Sequence, residues 1–162
     1  MKSHYLFLAS IAMLLVLSSC NGNITNPMAP LNPGSLTADI QQDGTSFISS
    51  NATVDNSQSG FYSIVAVQDQ GVGPANEVHI RVPAEVSVPY TISAPPDNSA
   101  DFIYYDVNRN LNYEANADQG SFTITITQTS PTLEGSFSAQ TVCNSVADSV
   151  RTLVNGVFNA SY

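Results

Sequence analysis

Basic residues are nearly absent from this sequence, which holds one lysine, Lys2, and three arginines. Thirteen acidic residues oppose them, and the formal net charge is −9. A protein that binds nucleic acid needs lysine and arginine to neutralise phosphates. A protein that binds anionic lipid headgroups through charge needs a basic patch. The composition therefore predicts no nucleic-acid partner and no electrostatic attachment to a membrane.

Residues that carry catalytic chemistry are also scarce. The chain has no tryptophan, two cysteines and two histidines. Within "EVHIRV", His79 shares a strand face with Glu77 and Arg81, which predicts an exposed surface position. No G-x-S-x-G turn or phosphate-binding glycine loop is present, and both are signatures of the enzyme classes that use them. The sequence predicts no catalytic residue and a protein that is not an enzyme.

An apolar leader ends at Cys20. Residues 5–17 are a short apolar run after Lys2, and Ser18 and Ser19 precede the cysteine. This is the anatomy of an export signal, too short for a permanent span of a bilayer about 30 Å thick. The pattern "LSSC" resembles the bacterial lipobox, in which the cysteine is acylated after cleavage. We expect a lipoprotein signal peptide over residues 1–19 and lipidation at Cys20; the alternative is a secreted protein with an incidental cysteine.

A segment rich in Asn, Pro and Gly follows the cysteine, and we expect residues 20–34 to be a flexible tether. Asn21 is not the aspartate that resembles an inner-membrane retention signal, and no acidic cluster resembles a surface-export signal. The prediction is therefore a cell-envelope protein, anchored in the outer membrane through its lipid and facing the periplasm. If Cys20 is acylated, Cys143 is the only other cysteine, and we expect an inert, partly buried thiol because no cationic residue adjoins it.

The remaining residues, 35–162, show the two-residue hydrophobic period of β-strands. In "SFTITITQ", Phe122, Ile124 and Ile126 alternate with polar residues, as in an antiparallel sheet with one buried face. A turn and "TLEGSFSAQTV" follow, which predicts a hairpin. The pattern predicts ten strands over residues 36–40, 45–54, 61–68, 77–82, 89–93, 102–107, 111–115, 121–128, 132–142 and 151–160. We expect one all-β domain, an antiparallel β-sandwich or a calycin-like up-and-down barrel of about 8–10 strands.

Several of these segments together carry a family resemblance. The order "GSLTADIQQDGTSF", "NEVHIRVP", "GSFTITIT", "LEGSFSA" and "VNGVFNASY" resembles a family of uncharacterised Bacteroidota envelope lipoproteins, described only as a domain of unknown function. Membership implies a β-sandwich or calycin-like fold and an envelope location. It implies no catalytic residues.

A calcium loop is one interpretation of "DVNRNLNYEANAD". Oxygen-bearing side chains occupy alternate positions there: Asp106, Asn108, Asn110, Asn112 and Glu114. Calcium binds such sets of oxygen ligands, but the loop motif also requires glycine at position 6 and glutamate at position 12. Leucine and alanine stand there instead. The alternative is a β-hairpin in which the asparagines form the turn.

Two further candidate sites are tyrosines and a serine. Tyr104 and Tyr113 are candidates to line a groove for a glycan or a small apolar ligand, because tyrosine combines an apolar ring with a hydroxyl; core packing is the alternative. The segment "DSV" resembles a short O-glycosylation motif and makes Ser149 a candidate glycosylation site, against a plain loop serine.

These observations favour a ligand-binding or interaction module, whose partner is an envelope protein, a glycan or a small apolar ligand. The alternative is a structural or assembly lipoprotein without a small-molecule ligand. A binding module predicts a concave patch, and a structural protein predicts a filled interior. An enzyme would need acids from distant strands in one cleft, such as Asp106, Glu114 and Asp118.

Overall fold

A computed structural model describes residues 31–58, 60–69, 74–84, 87–93, 100–116, 118–145 and 149–162. The predicted signal peptide and residues 20–30 of the predicted tether, Cys20 among them, lie outside these ranges. Residues 31–34 are described, and they are tied to the domain. Asn159 Nδ2 donates to the carbonyl oxygen of Leu31 at 3.0 Å, and Gly34 N donates to that of Asn159 at 2.7 Å. The described part of the domain therefore begins before Ser35.

The described residues form eleven β-strands and no helix. The strands are β1 Ser35–Ile40, β2 Thr45–Ser49, β3 Ala52–Asp55, β4 Phe61–Val67, β5 Glu77–Pro83, β6 Tyr90–Ser93, β7 Asp101–Asp106, β8 Leu111–Ala115, β9 Ser121–Gln128, β10 Leu133–Cys143 and β11 Ser149–Ala160. Neighbouring strands pair in the antiparallel sense. The all-β prediction is confirmed, as is the β9–β10 hairpin.

The strands form a nearly closed, barrel-like sheet in the order β2-β1-β11-β10-β8-β7-β5-β4-β3, with β9 paired to β10 and β6 paired to β9. The two ends of this path, β2 and β3, are consecutive in the chain. The sequence predicts one strand over residues 45–54, and the structure corrects this to two. Asn51 N donates to Ser49 Oγ at 3.1 Å at the bend between them. The bend lets β2 pair with β1 and β3 pair with β4, and so brings the two ends of the path together.

Aromatic side chains fill the interior. Phe47, Phe102, Tyr104, Tyr113 and Phe158 are all almost fully buried. The alternation of "SFTITITQ" behaves as predicted, because its apolar side chains point inward and its threonines face outward or are half-buried. The outward position of His79 is confirmed as well, since its neighbours in sequence, Val78 and Ile80, are fully buried.

Two glycines face phenylalanine rings across the β10–β11 pair. Gly135 lies opposite Phe158, and Phe137 lies opposite Gly156. A Cβ atom on Gly156 would stand 2.6 Å from three atoms of the Phe137 ring, and one on Gly135 would stand 2.6 Å from Phe158 Cζ. Each ring therefore lies over a glycine of the neighbouring strand, an arrangement that compensates for the side chain that glycine lacks.

β11 contains one extra residue, a β-bulge, next to Gly156. The register of β11 shifts by one residue against both of its neighbours. Against β10 the shift lies between Gly156 and Leu153, and against β1 it lies between Val157 and Val154. Asn155 adopts a positive φ of 53° at this bulge and donates to Asp39 Oδ2 at 3.0 Å. Bulges increase local twist, so this one helps β11 to curve with the closing sheet.

Candidate functional site

Two of the three arginines meet at one end of the barrel, around the carboxylate of Asp106. Arg109 Nη1 lies 2.7 Å from Asp106 Oδ2, and Arg151 Nη2 lies 3.9 Å from the same oxygen. Asp43, in the turn between β1 and β2, lies 3.5 Å from Arg151 Nε. Asp106 ends β7 and is only 4% exposed, so its charge depends on these partners.

Arg151 is the buried member of this cluster, with 8% of its surface exposed. It shares the inward face of β11 with Leu153, and its guanidinium lies over the ring of Tyr113, 4.9 Å from the centroid. Nη1 donates to the carbonyl oxygen of Val150 at 3.2 Å. Within the described residues Nε has no hydrogen-bond partner. The cluster thus retains an unused donor beside Asp43.

An open cleft of about 380 Å³ lies in front of the cluster. Its walls come from the β1–β2 turn, the end of β4, the approach to β5 and the β7–β8 turn. Asn76 holds two of these walls together, since Nδ2 donates to Gln68 Oε1 at 2.7 Å and Oδ1 accepts from Val107 N at 3.1 Å. We call this the end cleft; its lining residues are Ile40, Asp43, Thr45, Gln68, Asn76, Tyr104, Asp106, Asn108 and Arg109.

The structure does not gather the five predicted calcium ligands. Asp106 and Asn108 line the end cleft, whereas Asn110, Asn112 and Glu114 line a separate cleft of about 300 Å³. The hairpin alternative is confirmed: β7 and β8 pair from Phe102↔Ala115 to Asp106↔Leu111, and the asparagines lie in and after the turn. Within the described residues no group of three His, Cys, Asp or Glu side chains is placed to hold a metal.

The two candidate tyrosines are core residues. Tyr113 is fully buried, and Tyr104 is 2% exposed but contributes to the end cleft. Their ring centroids are 6.1 Å apart. Burial, with a smaller contribution from the nearby charge of Asp106, raises the pKa of Tyr104 far above its ordinary value. Its hydroxyl is therefore a neutral group at physiological pH.

Ser149 begins β11 rather than lying in a plain loop, and its hydroxyl donates to the Tyr113 hydroxyl at 3.1 Å. Glycosylation at this position stays a prediction. Cys143, which the sequence predicts to be partly buried, is almost fully buried, with Sγ 3.0 Å from Ser145 Oγ. His79 is about two-fifths exposed and its Nε2 lies 2.8 Å from Glu77 Oε2.

A third cleft, of about 250 Å³, holds acids from three places in the chain. Asp101, Glu114 and Asp118 line it together with Arg81. Burial raises the pKa of Asp101 and Glu114 adds to this effect, while Arg81, 2.8 Å away, opposes it. Asp106 is not part of this cleft, so the three acids named for an enzyme are not brought together.

Residues 34–160 match a family described as a domain of unknown function, DUF6252. The chain belongs to this family. The DUF6252 match spans all eleven strands, and it confirms the expected membership in a family of unknown function. No curated protein and no solved structure matches the chain. In the described portion, no helix has the length and hydropathy needed to cross a bilayer.

Sequence reasoning missed two charged residues of the cluster around Asp106: Asp43, which lines the end cleft, and Arg151, which lies behind it. Asp43 belongs to an Asp-Gly turn, which predicts a turn and nothing further. Arg151 begins the predicted strand 151–160, but an arginine at a strand end normally faces solvent. The one local signal was that Arg151 lies two residues before Leu153, so that both side chains point to the same, inward face of β11.

Proposed function

We propose that this protein is a lipid-anchored protein of the cell envelope whose β-domain binds a ligand or partner at the end cleft. The observation that carries the binding role is the buried pair of Arg151 and Asp106, with the exposed carboxylate of Asp43 next to it, beside an open cleft. Burying charge is costly even when it is paired, and replacing such pairs with apolar residues often stabilises a protein. A charged cluster kept at the mouth of an otherwise apolar barrel is therefore better explained by binding than by folding.

Aromatic packing in the interior supports a ligand site at the end of the barrel rather than inside it. Phe102, Phe137 and Phe158 pack in sequence across the interior, with centroid separations of 5.2 and 6.4 Å. A small apolar ligand would need space that these rings occupy. The end cleft is polar, open to solvent and next to fixed charges, as in many sites where a few polar groups orient a ligand.

The lipid anchor rests on the sequence pattern at Cys20. Several acyl chains on one cysteine hold a protein firmly at a membrane, since each buried methylene contributes about 0.8 kcal/mol. Metabolic labelling with an alkyne fatty acid should mark the wild-type protein, and membrane fractionation should find it in the envelope. The Cys20→Ser variant should lose both label and membrane association. A Cys143→Ser variant is the matched control, and it should keep both.

The binding role is tested by native mass spectrometry of the full-length protein, purified from its host envelope in mild detergent. A bound mass that disappears in Arg109→Gln supports the end cleft as the site. If the Arg109→Gln variant still carries the bound mass, the binding site lies outside the end cleft. Protein that is free of ligand and cross-links to a single envelope neighbour would favour the structural alternative, which the filled interior also fits.

A further inference from the structure

The charged side chains at the end cleft balance one another in a strongly acidic molecule. Asp43, Asp106 and Arg109 line the cleft, and the second positive charge comes from Arg151, which does not line it but pairs with both carboxylates from the buried side. The remaining polar lining consists of amides and hydroxyls, among them Thr45 and Asn108. A charged ligand would leave one of these groups without compensation in a partly desolvated site. The charge balance therefore favours a neutral ligand.

Unused hydrogen-bonding groups of both kinds face this cleft. Arg109 is half exposed and uses Nη1 for Asp106, which leaves the donors on Nη2 and Nε. Asp43 accepts no hydrogen bond from the described residues, although Arg151 Nε is 3.5 Å away. Arg109 thus offers donors and Asp43 offers an acceptor within the lining of one cleft, and a complementary ligand must accept at one point and donate at another.

From this we infer that the end cleft binds a neutral, polyhydroxylated ligand, a saccharide without charged groups. The inference rests on the proposed function. A hydroxyl both donates and accepts, so adjacent ring hydroxyls can donate to Asp43 and accept from Arg109. Tyr104 is buried and offers no exposed ring face for stacking. The affinity of a single saccharide unit is therefore weak, in the millimolar range.

A divalent cation fits the same cleft poorly. The cleft does present oxygen atoms, from Asp43, Asp106 and Asn108. However, Arg109 donates to both carboxylate oxygens of Asp106, through its backbone N at 3.2 Å and Nη1 at 2.7 Å. Calcium would have to displace a guanidinium from the more buried of the two carboxylates. Repulsion between the cation and two guanidinium groups opposes that exchange.

Saturation-transfer NMR on the full-length protein in detergent micelles tests the inference with defined probes. The neutral probes are maltotriose and chitotriose, trigalacturonic acid is the anionic probe and chitosan trimer the cationic one. Calcium has no proton signal, so calcium chloride is added as a competitor and its binding is read from any loss of transfer to the neutral probes. We expect transfer to a neutral trisaccharide only. Asp43→Asn and Arg109→Gln should each weaken it about tenfold, the loss of one charge-assisted hydrogen bond.

Asp118→Asn is the matched control, because it removes a carboxylate from a different cleft and should leave saccharide binding unchanged. Thr45→Val provides a second test if Asp43→Asn proves unfolded by circular dichroism. Binding of a charged probe alone would overturn the neutral saccharide and keep the end cleft as a site. If no probe binds and native mass spectrometry also finds no ligand, both the inference and the proposed binding role fail.

Discussion

Replacing Gly156 with alanine should destabilise the protein although it adds one methyl group. The new Cβ would stand 2.6 Å from three atoms of the Phe137 ring. Carbon atoms in favourable contact are about 3.5–4.0 Å apart, so the ring has to move by about 1 Å. Phe137 is 4% exposed and packs between Phe102 and Phe158, which leaves it little room.

The expected loss follows from two opposing terms. Overpacking a well-filled core costs about 1–3 kcal/mol. The alanine also restricts the unfolded chain, which stabilises the folded state by about 0.4–1 kcal/mol. The midpoints of these two ranges give a net loss of about 1.3 kcal/mol in the free energy of unfolding for Gly156→Ala. Equilibrium urea unfolding, followed by tyrosine fluorescence, measures it.

Two further variants separate steric conflict from other causes. Ser136→Ala changes an exposed position on the adjoining strand and should alter stability by less than about 0.5 kcal/mol. In a Phe137→Leu background, Gly156→Ala should cost clearly less, because the ring that it meets is gone. If Gly156→Ala is as stable as wild type, or costs the same in both backgrounds, the close packing of this glycine and ring is refuted.

Three more outcomes are expected. Arg151→Met should lower the free energy of unfolding by about 1–3 kcal/mol, because Asp106 and Asp43 lose a cationic neighbour while Arg109 stays paired with Asp106; urea unfolding measures it, and an unchanged midpoint would contradict the ion pairs. Burial raises the pKa of Asp101 in the folded state, so the stability that its protonated carboxyl contributes is fully present below about pH 3.8 and is lost as the pH rises through the folded pKa. The free energy of unfolding of wild type should therefore fall relative to that of Asp101→Asn over this pH range. A difference between the two proteins that does not change with pH would contradict the raised pKa. Adding about 1 mM calcium should leave the melting temperature unchanged, because the candidate ligands lie in two clefts, and a rise would restore the calcium site.

The β9–β10 hairpin could be predicted because its signal is local. Alternate residues of a strand point to opposite faces, so Phe122, Ile124 and Ile126 identify a buried face without reference to the remaining fold. The same reasoning placed His79 outward. The predicted strand over residues 45–54 failed at Ser50, because nothing in the local pattern shows that the chain changes pairing partner from β1 to β4.

Short-range patterns in the chain are enough to predict the strand class, most strand positions, the inward and outward faces and a lipidated Cys20. Each of these depends on a two-residue period or on a contiguous motif. The contact of the inward-facing Arg151 with Asp43, more than 100 residues away in the chain, could be seen only in the folded protein. The fold also places the predicted calcium ligands in two separate clefts. Such juxtapositions depend on strand order and register, which long-range pairing sets and no local pattern records.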